Sequence, residues 1–191
     1  MPHALAFLSM FTAYTDAAGP LTRERVLAAA GRVAERDGLD RLSMRALARE
    51  LGVSPMAMYR HVKNKDDLLD GLLDRLLAEL PLPRESAPWQ DRLRFMAAEL
   101  RALARQHPQL FVLLLQRPAV GSDAVRTRDA VELALRDAGI GPEEAARLQR
   151  LLSTVVIGFA LSEVSGRFAG IDTDREFDAA VDLLLDAVVT S

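Results

Sequence analysis

The sequence predicts an all-α protein built from two helical parts. Apolar residues recur at spacings of three and four along most of the chain, which is the periodicity of a helix with one buried face. Residues that cap helices stand before these stretches, and glycine or proline stands after them. No segment shows the sustained apolar–polar alternation with β-branched residues that marks a half-buried strand. Pro81, Pro83 and Pro88 lie between two groups of helical segments and predict a domain boundary.

Four helices are predicted before the prolines, and each follows a serine, threonine or asparagine whose side chain can cap it. They are a helix from the cap Thr22 to Gly38, Met44 to Leu51 after the cap Ser43, Pro55 to Val62 after the cap Ser54, and a leucine-rich helix from the cap Asn64 to Leu80.

Further helical segments follow the prolines, each ended by glycine, proline or a loss of apolar periodicity. They are Trp89 to His107, Leu110 to Gln116, Ser122 to Ala138, Pro142 to about Phe168, and a closing helix whose Thr173 and Glu176 form a predicted capping box.

The composition excludes several classes of protein. The chain has 191 residues and no cysteine, which excludes disulfide scaffolds, thiolate zinc sites and cysteine nucleophiles. Its net charge of −3 alone would argue against a nucleic-acid binder. The charge is uneven, however, because residues 22–65 carry a net +5 and residues 66–191 a net −7. A basic module attached to an acidic body is therefore compatible with DNA binding.

The first 21 residues contain an apolar patch but no lysine or arginine, so they make a poor secretory signal. We expect residues 1–21 to be a flexible arm, or the result of a start site assigned too early. No run of about 18 apolar residues exists, so no membrane partner is expected and the predicted location is cytoplasmic.

Residues 43–62 have the pattern of a helix, a one-glycine turn at Gly52 and a second, short helix. This is the arrangement of a helix-turn-helix, whose second helix enters the major groove of DNA. The spacing alone also allows an ordinary helical hairpin of a bundle. Residues predicted to form the shared core are Leu47, Leu51, Val53, Met58 and Val62, and those predicted to point outward are Ser54, Met56, Ala57, Tyr59, Arg60 and His61.

The segment Thr22 to Leu80 resembles the DNA-binding domain of the TetR family of transcriptional repressors. The resemblance rests on Ser43-Met44-Arg45-x-Leu47-Ala48-x-x-Leu51-Gly52-Val53 and, above all, on Tyr59-x-His61-Val62-Lys63-Asn64-Lys65. The second string is similar to the tetracycline-repressor branch. The family implies a three-helix helix-turn-helix domain over residues 22–80, with its motif at 43–62, followed by a helical ligand-binding and dimerisation domain over residues 81–191.

The resemblance also implies roles for the DNA-facing residues. The residue matching Arg45 reads a guanine edge, and those matching Ser54, Met56 and Ala57 face bases or thymine methyls. Positions matching Ser43, Tyr59, His61 and Lys65 resemble phosphate contacts, and Arg60 adds an outward charge. Close relatives have glutamine, proline and threonine at Pro55, Met56 and Ala57, so we expect a different operator sequence.

Residues Trp89 to Phe168 resemble the C-terminal domain of the same branch, which implies a homodimer formed by the last two helices of each protomer. Apolar stripes on these helices support this prediction, although the same stripes would also suit the protomer's own core. The predicted interface residues are Leu148, Leu152, Val155, Gly158, Phe177, Val181, Leu184 and Val188.

The resemblance further implies a ligand pocket between helices. Tetracycline repressors bind a drug–magnesium chelate through histidines and a glutamate, where this chain has Pro81, Leu113 and Ser162. We therefore expect no metal, no cofactor and a small, mostly apolar effector. His107 and Glu163 are the polar candidates nearby, although His107 also suits a helix end. The predicted pocket residues are Leu76, Leu80, Leu100, Leu103, His107, Phe111, Leu114, Val131, Leu135, Phe159 and Ser162.

Together these features predict a repressor that binds a palindromic operator in double-stranded DNA as a homodimer and is released by an effector. A transcriptional activator on the same scaffold is the main alternative. An all-α enzyme or small-molecule carrier is a weaker one, because His3, His61 and His107 are scattered and no catalytic motif occurs.

Overall fold

The computed structural model describes residues 19–189, and in that range it consists of ten α-helices and one 3₁₀ turn, without a strand. The predicted all-α fold is confirmed. Most of the predicted arm, residues 1–21, lies outside the described residues. The helices are α1 (Arg23–Asp37), α2 (Met44–Glu50), α3 (Pro55–Met58), α4 (Lys65–Ala78), α5 (Trp89–Gln106), α6 (Pro108–Phe111), α7 (Leu113–Gln116), α8 (Ser122–Asp137), α9 (Pro142–Val164) and α10 (Thr173–Val189), and the 3₁₀ turn is Leu39–Arg41.

The chain divides into two compact units between Leu73 and Asp74, inside α4. The predicted boundary at residues 80 and 81 follows the end of this helix, and those domain limits stay a prediction. Helix α4 is thus a single helix that begins in the first unit and ends in the second.

The first unit is organised by side-chain caps that the sequence predicted. Thr22, Ser43 and Ser54 each accept a hydrogen bond from the backbone N–H three residues later. The Asn64 Oδ1 atom accepts one from Asp67 N at 2.8 Å. The caps fix where α1 to α4 begin. Buried side chains from all four helices, together with Val62 from the turn after α3, form the core of the unit: Val26, Ala29, Ala30, Val33, Leu47, Met58, Leu68 and Leu72.

The second unit is built from α5, α8, α9 and α10, which pack against one another. Each helix contributes apolar side chains to one shared core, so the position of any one helix depends on the others. The buried members of that core include Leu93, Ala97, Ala134, Leu135, Ala145, Leu152, Val156, Phe177, Val181, Leu185 and Val188.

Several helix ends differ from the prediction. Helix α3 ends at Met58 rather than Val62, because the N–H groups of His61 and Val62 both bond to Met58 O and close a turn there. Helix α9 ends at Val164, where hydrogen bonds from Gly166 N to Glu163 O and from Arg167 N to Ser162 O terminate it.

Two further differences lie in the second unit. The segment predicted as one helix over 110–116 is two four-residue helices, α6 and α7. The predicted capping box at Thr173 is wrong, because Asp172 Oδ1 accepts the hydrogen bond from Arg175 N and Thr173 is already helical.

Candidate DNA-binding face and ligand cavity

The first candidate site is the surface of the helix-turn-helix. Gly52, between α2 and α3, has φ of +65°, a left-handed conformation that glycine adopts without strain. This turn buries Leu47 and Met58 and leaves Met56 75% and Tyr59 49% exposed. Large apolar side chains with this exposure are poor solvent-facing groups, so a partner surface is expected to cover them.

The other predicted DNA-contacting residues surround this surface. Ser43 and Arg45 are exposed at the start of α2, Ser54 and Arg60 are exposed beside α3, and Lys65 is exposed at the start of α4. Ala57 and His61 are half-buried. The predicted inward residues Leu51 and Val53 are half-buried rather than fully buried.

An ion pair that sequence reasoning missed positions the segment after α3. The guanidinium of Arg23 donates to Asp67 Oδ1 at 2.7 Å and to the backbone carbonyl of His61 at 2.9 Å. The same carboxylate accepts from Lys63 N at 2.7 Å. The hydrogen bond from Arg23 lowers the pKa of Asp67 below its usual value. Arg23 and Asp67 therefore hold the backbone of residues 61–63, and their spacing of 44 residues gave no sequence signal.

The second candidate site is a cavity in the second unit, between α5, α8, α9 and α10. The cavity has a volume of about 70 Å³. Most of the wall is aliphatic, and three lining residues are polar but uncharged. The lining residues are Leu80, Leu93, Met96, Ala97, Leu100, Thr127, Val131, Gln149, Leu152, Ser153, Val156, Val181, Leu184 and Leu185.

Three of the predicted pocket residues, Leu80, Leu100 and Val131, line this cavity. The others do not: Leu76, Leu103, His107, Phe111, Leu114, Leu135, Phe159 and Ser162. Conversely, Leu152, Val181 and Leu184, which were predicted to face a second protomer, also line the cavity. The sequence also gave no indication that Thr127, Gln149 and Ser153 meet at one site.

The residues predicted to form the dimer interface differ in their exposure in the structure. Leu152, Phe177, Val181 and Val188 are buried within the protomer, and Leu148 packs against the same core. The packing of the protomer is therefore sufficient to explain why these residues are apolar. On the outside of α9 and α10 lie other apolar residues, with Leu151 55%, Val155 37% and Leu183 71% exposed.

Glu163, a predicted polar candidate for the pocket, is bound by arginines instead. Its carboxylate accepts two hydrogen bonds from Arg101, both at 2.7 Å, and one from Arg105 at 2.6 Å. Chiefly through the Arg101 hydrogen bonds, this arrangement lowers the pKa of Glu163 to about 2. The Arg101 guanidinium also lies 4.5 Å from the ring centroid of Phe177. This buried cluster ties α5, α9 and α10 together.

His107, the other polar candidate, is also held by a protein partner. It is buried, and its Nε2 atom lies 3.2 Å from Glu79 Oε2. Within residues 19–189 no group of three metal-ligating side chains could hold a metal ion. Over the same residues no helix is long and apolar enough to cross a membrane.

Comparison with known protein families matches nearly the whole described chain. Residues 26–72 match the model of bacterial regulatory proteins, tetR family, and residues 81–189 match the model of the tetracyclin repressor-like C-terminal domain. The family models and the named relatives are transcriptional regulators, not enzymes.

Two curated relatives illustrate the similarity. The chain is 38% identical over 144 residues to an HTH-type transcriptional regulator of Saccharopolyspora erythraea, an alignment covering 75% of this chain and 61% of that protein. It is 36% identical over 177 residues to the HTH-type transcriptional repressor DrrR1 of Streptomyces coeruleorubidus, covering 90% and 65% respectively. The chain thus spans less than two thirds of the length of either relative.

Solved structures agree with the family models. Apo ActR of Streptomyces coelicolor matches with a TM-score of 0.83 and 28% identity, covering 91% of this chain and 97% of that one. ActR in complex with actinorhodin matches with a TM-score of 0.82 and 27% identity, covering 90% and 98%. BioQ with its double-stranded DNA operator matches with a TM-score of 0.77 and 26% identity, covering 90% and 99%. The chain described here belongs to the TetR family of bacterial regulatory proteins.

Proposed function

We propose that this protein is a transcriptional repressor that binds a palindromic operator as a homodimer and is released when a small, mostly apolar molecule enters the cavity of its second unit. The observation that carries the proposal is the exposed face of the helix-turn-helix, where Met56 and Tyr59 stand out among basic residues. The name of DrrR1 and the operator complex of BioQ support the same function.

On DNA, the residues of this face divide into two roles. Arg45 reads a base edge, and Met56 and Ala57 make apolar contact with thymine methyls in the major groove. Ser43, Tyr59, His61 and Lys65 contact phosphates, and Arg60 adds positive charge. Phosphate contacts set the register and supply affinity that does not depend on sequence.

The dimer forms through the outer faces of α9 and α10. Leu151, Val155 and Leu183 give these faces their exposed apolar surface. Gly158 lies on the same face of α9, and a Cβ atom there would meet no atom within 4 Å apart from the adjoining backbone of its own helix. Glycine inside a helix costs about 0.5–1 kcal/mol relative to alanine, and nothing in the protomer requires it. Close approach of a second protomer is the role that we assign to it.

Ligand release acts through the joint between α8 and the end of α4. Asp74 Oδ1 accepts a hydrogen bond from Asp123 N at 3.0 Å, and a Cβ on Gly121 would lie 2.0 Å from the same oxygen. Arg126 donates to the carbonyls of Leu77 and Leu80 at 3.1 and 3.2 Å. A ligand that displaces α8 therefore moves the end of α4, and α4 is continuous into the first unit.

The test compares two arginines of α2 on a duplex selected by the protein from a random pool. Arg45→Ala lowers affinity for the selected duplex about 10- to 100-fold, because a bidentate arginine–guanine contact contributes about 1–3 kcal/mol of discrimination. Arg49→Ala removes the same charge from the same helix and serves as the matched control. Fluorescence anisotropy on the selected and a scrambled duplex measures both.

We expect Arg45→Ala to reduce the ratio of the affinity for the selected duplex to the affinity for the scrambled duplex. Arg49→Ala should leave this ratio within about twofold of the wild-type value. If both substitutions changed this ratio equally, Arg45 would not be a residue that reads a base. In cells, deletion of the gene raises output from a reporter carrying the operator, and a fall in output would make the protein an activator.

A further inference from the structure

The polar side chains of the cavity lie together on two helices. Thr127 belongs to α8, and Gln149 and Ser153 lie one turn apart on α9. Gln149 Nε2 donates to Ser153 Oγ at 2.8 Å, and Thr127 Oγ1 donates to the Asp123 carbonyl at 2.8 Å. We call Thr127, Gln149 and Ser153 the polar patch.

These bonds leave a defined set of groups for a ligand. The Ser153 hydroxyl accepts from Gln149 and keeps its hydrogen to donate, whereas the Thr127 hydroxyl has given its hydrogen away and keeps its capacity to accept. The amide oxygen of Gln149 is a further acceptor. The patch thus suits a ligand group that both accepts and donates, as a hydroxyl does, or a carbonyl that accepts from Ser153.

The rest of the wall excludes a charged ligand. None of the 14 residues that line the cavity carries a charge, and 11 of them are apolar. A carboxylate or an ammonium group brought into such a site loses its hydration without gaining a counter-charge. The buried Arg101 does not line the cavity, and its guanidinium is committed to Glu163.

The open space limits the size of the group that binds without rearrangement. A site needs at least roughly 10–15 Å³ of such space to hold one water, and the 70 Å³ here is several times that minimum. Benzene binds in a cavity of about 150 Å³ in another protein, so a single six-membered ring requires the aliphatic side chains of the wall to move apart slightly. Larger ligands require larger movements.

We propose that the polar patch determines the ligand class of this regulator: an uncharged molecule with an apolar, ring-sized body and a hydroxyl or carbonyl group that bonds to Thr127, Gln149 and Ser153. The proposal rests on the proposed function only in taking this cavity as the effector site. It adds the chemistry that the effector must have.

Three single-ring probes test the proposal on the full chain: toluene, 4-methylphenol and 4-methylbenzoate. Calorimetry or ligand-observed NMR measures their dissociation constants. We expect 4-methylphenol to bind about three- to tenfold tighter than toluene, the range of one neutral hydrogen bond. We expect 4-methylbenzoate to bind at least about tenfold weaker than 4-methylphenol, because the site offers no counter-charge.

Matched variants test whether the polar patch causes the preference for 4-methylphenol over toluene. In Thr127→Val combined with Ser153→Ala, 4-methylphenol loses its advantage over toluene and toluene binds about as before. Thr154→Val is the control, because Thr154 is an exposed threonine of α9 whose hydroxyl also bonds to a carbonyl four residues back, at 2.7 Å. It keeps the wild-type ranking. Thermal unfolding of each variant confirms that it is folded.

Three results would overturn the proposal: a phenol preference that survives in the double variant, a benzoate that binds as tightly as the phenol, or no binding of any probe. Operator affinity without probes is measured in parallel. If wild-type protein ranks the probes as expected but binds no selected duplex, the ligand class stands and the proposed repressor function fails.

Discussion

The two units present their functional residues to opposite environments. In the first unit the residues proposed to bind DNA lie on the outside of the short helices α2 and α3 and at the start of α4, in a segment of net charge +5. In the second unit the residues proposed to bind a ligand line a cavity between four long helices, and none of them is charged. Affinity in the first unit should therefore depend on charge and salt, and affinity in the second on buried area and a few hydrogen bonds.

Salt should separate the two sites most strongly. Raising the monovalent salt concentration from 50 to 200 mM lowers operator affinity about a hundredfold, as expected if Arg60 and Lys65 of both protomers each neutralise one phosphate. The affinity for 4-methylphenol changes less than about twofold, since the phenol is uncharged at neutral pH and no residue that lines the cavity carries a charge. Anisotropy for the duplex and calorimetry for the probe, in the same buffers, make the comparison. A salt-independent operator affinity would contradict the phosphate contacts.

Filling the cavity should block ligand binding at the second site. Val131→Phe places a larger side chain in the space of about 70 Å³ that Val131 lines. We expect probe affinity to fall by at least about tenfold, because the ring occupies the ligand's space. If the variant still binds 4-methylphenol at wild-type strength, the cavity is not the ligand site.

The ion pair between Arg101 and Glu163 in the second unit should contribute more to the free energy of unfolding than the ion pair of the first unit. Glu163→Gln leaves the buried Arg101 with only the exposed carboxylate of Asp174, 3.0 Å away, as a counter-charge. We expect a loss of about 2–3 kcal/mol in unfolding free energy at pH 7. The pKa of Glu163 is lowered from an ordinary 4.5 to about 2. Its contribution is therefore complete above about pH 4.5 and disappears as the pH falls towards 2. Urea unfolding from pH 7 down to 2.5 should show wild type and variant converging.

The corresponding ion pair of the first unit should matter less. Asp67→Asn weakens the pair with Arg23, whose side chain is 43% exposed, so solvent screening limits its contribution. We expect a loss of no more than about 1 kcal/mol in the same urea experiment. The loss should again shrink at acid pH, since the pKa of Asp67 is also lowered. A loss equal to that of Glu163→Gln would show that exposure does not separate the two pairs.

The same contrast explains which features the sequence could predict. The helix-turn-helix depends on neighbours in sequence: Ser54 caps α3, Gly52 makes the turn, and Met58 points inward because of its place in α3. Local rules were therefore sufficient for the caps and for the exposed face. They were not sufficient for the length of α3, which is set by a turn around the Met58 carbonyl.

The cavity depends instead on how four helices pack. An apolar stripe on α9 indicates a buried face, but it does not say which helix covers that face. For that reason Leu152 was predicted to face a second protomer, and its place in the wall of the cavity was not predicted. The polar patch was missed because Thr127 and Gln149 lie on different helices and meet only after packing.

Binding of a palindromic operator by a homodimer is tested most directly by letting the full chain select sequences from a pool of random duplexes, followed by sequencing. We expect enrichment of a two-fold symmetric sequence whose half-sites lie about 34–36 Å apart, or a multiple of that distance, as two symmetry-related helix-turn-helix units require. Enrichment of an asymmetric sequence, or no enrichment at all, would contradict this expectation.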